Sequence, residues 1–170
     1  MARVCLVGTE GSNLQYELLS RETARDALAA YDLDEPFHNS VAVETVSLGG
    51  AVALLNDLNW YLIRFVDVAL VKEPSVSERE WLSRELATAI REDRLDPDES
   101  GRFLKVYGLE PMDGSGESTD NVAAESNTVP EFRLVEPMLV TRTGETLPEY
   151  DLRDVDETLV VRVTESEFGA

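Results

Sequence analysis

The chain has 170 residues, with 34 acidic and 15 basic side chains, a net charge of −19 and 43% hydrophobic content. That length and apolar fraction suit one globular domain, or one domain with a tail, and exclude wholesale disorder. No apolar run approaches the roughly 20 residues of a membrane helix, a lone Cys5 excludes a disulfide scaffold, and the scattered arginines form no basic stripe for direct nucleic-acid binding.

The contiguous apolar run Val4-Cys5-Leu6-Val7 predicts a buried strand from Arg3 to Gly8, and Gly8-Thr9-Glu10-Gly11-Ser12-Asn13 a turn. Leu14 to Leu19 fits either a strand or a helix. It is taken as the start of one long helix, broken near Ser20 and ending near Tyr31, with Ala24, Ala27, Leu28 and Tyr31 inward. Ser40 to Leu48 alternates as a strand, Val41 and Val43 facing one side and Ala42 and Glu44 the other. Ser47 or Gly49 opens a short apolar helix to about Leu58. Trp60 to Val71 is rich in β-branched and aromatic residues and predicts a strand, in which Asp67 marks a bulge or bend. Ser77-Glu78-Arg79-Glu80 has the form of a capping box, so a helix is expected from Ser77 to about Arg91. Asp96-Pro97 starts another helical turn, and Phe103 to Leu109 reads as a strand.

Residues 110–131 carry six acids and no Lys or Arg, which predicts a flexible acidic linker. Two strands are expected next, from Glu131 to Val135 and from Met138 to Thr143, divided by Glu136-Pro137. A turn follows at Thr143-Gly144-Glu145, and a last strand spans Leu159 to Val163. The expected fold class is α+β: a two-layer sandwich with a small mixed sheet and about three helices, plus a short β-rich C-terminal tail. The expected division is a core at 1–109, a linker at 110–130, and a tail at 131–170 that is either a separate unit or completes the core sheet.

Chemistry-bearing patterns are sparse. The Gly8–Asn13 turn, with Gly8, Gly11, Ser12 and Asn13, follows a strand where phosphate loops lie. It lacks the glycine spacing and the lysine of such loops, and Glu10 opposes an anion. Asn56, Asp57, Asn59 and Trp60 sit where the helix ending near Leu58 hands over to the expected strand, a common ligand position, with Arg64 as a cation nearby. Turn formation by the asparagines is the simpler account of that cluster. Cys5 lies in an apolar strand and His38 in a loop, with nothing pairing them as nucleophile and base. Asp96 to Gly101 resembles the opening of a calcium loop, but its twelfth position is Tyr107, where a glutamate is needed. Asp151, Asp154, Asp156 and Glu157 form an acidic cluster that a strongly acidic surface produces by composition. No catalytic residue, metal set or cofactor is therefore assigned. The leading expectation is a non-enzymatic protein-binding or adaptor module, engaging a protein partner or a second copy. The alternative is a small-ligand, nucleotide-like sensor or small enzyme using the turn and the Asn56–Arg64 region.

The stretches Arg3-Val4-Cys5-Leu6-Val7-Gly8, Tyr16-Glu17-Leu18-Leu19-Ser20-Arg21-Glu22-Thr23, Leu54-Leu55-Asn56-Asp57-Leu58-Asn59-Trp60-Tyr61-Leu62 and Tyr150-Asp151-Leu152-Arg153-Asp154-Val155 resemble an uncharacterised family of small haloarchaeal proteins, a domain of unknown function. That resemblance implies a halophilic, cytoplasmic protein and no particular activity. The composition agrees: lysine is confined to Lys72 and Lys105, and isoleucine to Ile63 and Ile90. The opening residues do not read as a signal peptide. At molar salt the Debye length is about 3 Å, which screens the repulsion within a carboxylate coat. The melting temperature is therefore expected to rise between ~0.1 M and ~3 M KCl. A thermal-melt series across that range checks this, and an unchanged midpoint would overturn it.

Overall fold

Alternation along the first strand sorts its side chains onto two buried faces. In β1 (Ala2–Gly8), Ala2, Val4 and Leu6 point into one hydrophobic cluster and Cys5 into another. The structure, a computed structural model, describes residues 1–112, 132–142, 149–152, 155 and 157–169. Most of the expected acidic linker, the Thr143-Gly144-Glu145 turn, Asp154 and Asp156 lie outside the described residues.

The chain continues through α1 (Leu14–Leu19), α2 (Glu22–Leu28), β2 (Ser40–Thr45), α3 (Leu48–Asp57), α4 (Asn59–Phe65) and β3 (Val66–Lys72). It then forms β4 (Trp81–Ser83), α5 (Arg84–Arg91), a 3₁₀ turn at Pro97–Glu99, β5 (Phe103–Pro111), β6 (Phe132–Thr141), β7 (Glu157–Val163) and α6 (Glu165–Gly169). The strands make one open seven-stranded sheet in the order β2-β1-β3-β4-β7-β5-β6. All neighbours are antiparallel except the parallel pair β4 and β7. A two-way backbone bridge from Asp34 to Ala42 covers part of the outer edge of β2. Among the described residues, no helix is long and apolar enough to cross a membrane.

The helices pack on one face. Leu14, Leu18, Leu28, Leu55, Leu58 and Leu86 meet Val4, Leu6, Val43, Val71 and Leu82 of the sheet in one buried cluster. The other face buries Cys5, Leu70, Trp81, Tyr107 and Val161 with little helical cover, because the sheet curls onto itself. The His38 backbone N–H donates to the Phe132 carbonyl at 2.7 Å, tying the loop before β2 to β6 at the opposite edge. A flat sheet would hold its first and last strands about 29 Å apart. Two irregularities assist the curl. Val7 pairs with Val68 and Gly8 with Val66, so Asp67 is the extra residue of a bulge in β3, as its position in the sequence suggested. The pairing of β5 with β6 slips between Val106 and Gly108, where Tyr107 faces Glu136-Pro137.

The fold class is mixed α and β as expected, with more of both: seven strands and six helices among the described residues rather than a small sheet and about three helices. The predicted break at Ser20 is real, separating α1 from α2. The strand expected from Trp60 is wrong in its first half. Residues 59–65 are helical because Tyr61, Leu62 and Phe65, at helical spacing, turn inward while Trp60, Ile63 and Arg64 turn out. The helix expected at Ser77 begins instead after Ser83, whose hydroxyl caps the Leu86 N–H at 3.1 Å. Ser77 does accept from the Glu80 N–H at 3.0 Å, as a local turn, and the next three residues form β4. The two strands expected around Glu136-Pro137 are one strand, β6, carrying the irregularity. The C-terminal α6 was not foreseen.

Glu80 has a tertiary role in place of a capping one. Arg142 Nη2 donates to both its carboxylate oxygens at 2.6 and 2.7 Å, and Arg162 Nε donates to Oε1 at 2.7 Å. Arg162 Nη1 also donates to the Ser100 hydroxyl at 2.9 Å. Burial works against ionisation of Glu80, but the hydrogen bonds and charges of the two arginines outweigh it and hold the carboxyl below its usual range. A depressed folded-state value means that folding favours the ionised form. The contribution is fully present above the unfolded value near 4.5 and is lost as pH falls through the lower folded value. Glu80→Gln is therefore expected to destabilise the chain by about 3 kcal/mol at pH 7. The deficit should shrink as pH is lowered through the acid limb, as read by urea melts at several pH values.

Candidate functional site

The Gly8–Asn13 turn directs its donors inward. The Gly8 N–H donates to Asn39 O at 2.8 Å, the Thr9 N–H to Phe65 O at 2.9 Å and the Ser12 N–H to Thr9 O at 3.2 Å. The Leu14 N–H donates to Asn39 Oδ1 at 2.9 Å, and the Tyr16 N–H to Asn13 Oδ1 at 3.1 Å, so Asn13 is the cap of α1. Gly8 is required by close approach: a Cβ there would lie 2.8 Å from Leu14 Cβ and 2.7 Å from Asn39 Nδ2. Gly11 is required by its φ of +89°. The turn thus anchors α1 and the end of α4 to the sheet, with few backbone donors left for a phosphate.

The asparagines at the junction of α3 and α4 also serve the fold. Arg84 of α5 donates from Nη1 to Asn59 Oδ1 at 2.8 Å and from Nη2 to Asn56 Oδ1 at 3.2 Å. Arg84 therefore takes the place near the asparagines that the sequence suggested for Arg64. Arg64 itself folds back, donating to the Trp60 carbonyl at 2.9 Å with its guanidinium 3.9 Å from the Trp60 ring centre. Asp57 is exposed at the C-terminal end of α3. No hydrogen bond joins the two groups among the described residues; the bond from the Thr9 N–H to the Phe65 carbonyl links the elements that carry them.

That junction adds Tyr16, Arg21 and Ile63, which the sequence did not single out, to Trp60, which it did. α1 packs beside α4, and each turns large aromatic or apolar side chains outward among polar ones. Tyr16 is 66% exposed, Trp60 48% and Ile63 71%. Arg21, held by Glu17 at 2.7 Å, places its guanidinium 5.0 Å from the Phe65 ring and 5.9 Å from Trp60. Trp60 stands edge-on to Tyr61, with centroids 5.0 Å apart, which fixes the indole on the surface. Trp60, Ile63 and Arg64 have the i, i+3, i+4 spacing of one helix face, a signal hidden by reading this stretch as a strand.

Residues 2–109 match a family of unknown function, DUF5804. The chain belongs to that family. The matched stretch includes the turn, both asparagines and the α1/α4 face, whereas β6 and β7 follow it. No curated protein and no solved structure matches the chain.

Cys5 is fully buried, and burial pushes its thiol up to about 12. Among the described residues, no three His, Cys, Asp or Glu side chains group as a metal set. Asp96 of the calcium-like stretch instead caps the 3₁₀ turn, accepting from the Asp98 N–H at 2.9 Å. Native protein is expected to resist iodoacetamide at pH 8 and to label at Cys5 only on unfolding. A time course followed by intact mass checks this, and rapid labelling of folded protein would overturn it.

Proposed function

We propose that this protein is a non-enzymatic docking module, and that its contact surface is the outward face of α4 with the adjoining face of α1. The observation that carries this reading is the pair Trp60 and Ile63, large apolar side chains held outward on one helix face. Tryptophan, tyrosine and arginine dominate the energetics of protein interfaces, and all three are present here. The charges around the patch point to the chemistry of the partner. Arg25 and Arg64 make no ion pair among the described residues, in a chain whose acids outnumber its bases by 34 to 15. The partner surface that fits is an apolar anchor flanked by carboxylates.

The working environment we infer is a haloarchaeal, high-salt cytosol, on the strength of the acid-rich, lysine-poor composition. There, long-range attraction is screened within about 3 Å, so apolar contact and touching ion pairs carry recognition. The same screening, added to the net charge of −19, disfavours nucleic acid.

Trp60→Ala with Ile63→Ser is expected to weaken the complex at least tenfold, roughly, while leaving the melting temperature within a few degrees, because both side chains are exposed. Tagged wild type and variant are compared in native lysate at molar KCl, with captured proteins quantified by mass spectrometry. A stoichiometric partner kept by the wild type and lost by the variant and by Arg64→Glu supports the reading. Identical capture by all three overturns it. A patch-dependent dimer of the purified chain, seen by light scattering, would replace the proposed partner with a second copy.

A further inference from the structure

A cavity of about 310 Å³ opens at the end of the curled sheet, between the Gly8–Ser12 turn, the Asp67 bulge and the Arg133–Pro137 stretch of β6. Tyr107 lines it from β5. Only 8% of this residue is exposed, and its hydroxyl has no hydrogen-bond partner among the described residues. Arg142 Nε is the fully enclosed unpartnered side-chain atom among them, so the Tyr107 hydroxyl retains access to open space. A nearly buried hydroxyl with no partner among the described residues is an incomplete site, since desolvating such a group without a hydrogen bond costs free energy that a ligand recovers.

The chemistry of the walls selects the ligand. Asp67, thrown out of the ladder by its bulge, lines the same cavity and makes no hydrogen bond or ion pair among the described residues. Glu10 and Glu136 add two further carboxylates. The cation present, Arg133, is already engaged, donating from Nε to Glu110 Oε1 at 2.8 Å. Val7, Val68 and Leu134 supply apolar wall. Burial, with the charges of Asp67 and Glu167, pushes the Tyr107 phenol up to about 12, so it remains a neutral hydroxyl. A phosphate or nucleotide would meet three carboxylates there. An organic cation would meet a carboxylate and a hydroxyl oxygen, while the Tyr107 ring already has Lys105 Nζ 5.7 Å from its centre.

We propose that this cavity is a binding site for a small organic ammonium ion, seated between the Asp67 carboxylate and the Tyr107 side chain. The site is independent of the α1/α4 docking face, and its ligand adds a function to the module. Nitrogen-15 labelled full-length protein is titrated with n-butylammonium chloride at constant ionic strength, with sodium butyrate and 1-butanol as anionic and neutral comparators of similar shape. Saturable shifts are expected at Val7, Val68, Tyr107 and Leu134, with affinity at least about tenfold above either comparator. Asp67→Asn should weaken binding about tenfold and Tyr107→Phe about threefold, with amide shifts elsewhere unchanged. Absence of saturable shifts, equal binding of butanol or butyrate, or full affinity in Asp67→Asn would overturn the proposal. If Asp67→Asn does not fold, Glu10→Gln takes its place: weakened binding of the cation supports the site, and unchanged binding overturns it.

Discussion

The fold depends on a seam three residues long. β4 joins the two parts of the sheet, yet it shares two residue pairs with β3 and two with β7. Ladder bonds over so short a strand are a weak joint, and the Glu80 carboxylate reinforces it. It stands just ahead of β4 and binds Arg162 of β7 and Arg142, which directly follows β6. A partly buried ion cluster of this kind is an uncertain source of net stability, because desolvation offsets much of the attraction. Its value lies in register: two guanidinium groups converging on one carboxylate accept few alternative alignments of β4 against β7.

Once that seam is fixed, curvature follows. β7 lies between β4 and β5 and brings the β5–β6 hairpin into the same sheet. The bulge at Asp67 and the irregularity opposite Tyr107 sharpen the bend until the loop before β2 bonds to Phe132. The curl explains how a face with so little helical cover still buries Cys5, Leu70 and Val161. It also creates the polar cavity at the sheet end, because both distorted positions expose side chains that a regular ladder would have turned aside.

The helical face presents a different surface. α3 and α5 are tied through Arg84 and the two asparagines, while α1 and α4 are tied through the Gly8–Asn13 turn. The residues that looked most like a ligand site are therefore the joints of the helical layer. With the joints made by polar groups, the large side chains of α4 remain outward. The sheet-end cavity and the outward face of α4 thus have different origins in the same framework: one comes from strand distortion, the other from a helix whose inner contacts are already satisfied.

Much of the local structure was legible in the chain itself. Val4 to Val7, the alternation after Ser40, the break at Ser20 and the odd placement of Asp67 each announce their element, because the determining contacts are near in sequence. Trp60 to Phe65 misled because aromatic and β-branched residues favour strands weakly, and burial of one helix face outweighed that preference. Ser77 to Glu80 misled because a capping box is a local pattern, and two arginines more than sixty residues away claimed the glutamate. The sequence by itself determined the charge, the sheet-and-helix class and most element positions, through short-range periodicity and composition. Tertiary structure alone decided the strand order, the partner of Glu80, the bulge-lined cavity around Tyr107 and the exposure of Trp60. Each of those rests on groups far apart in the chain, whose meeting no local pattern encodes.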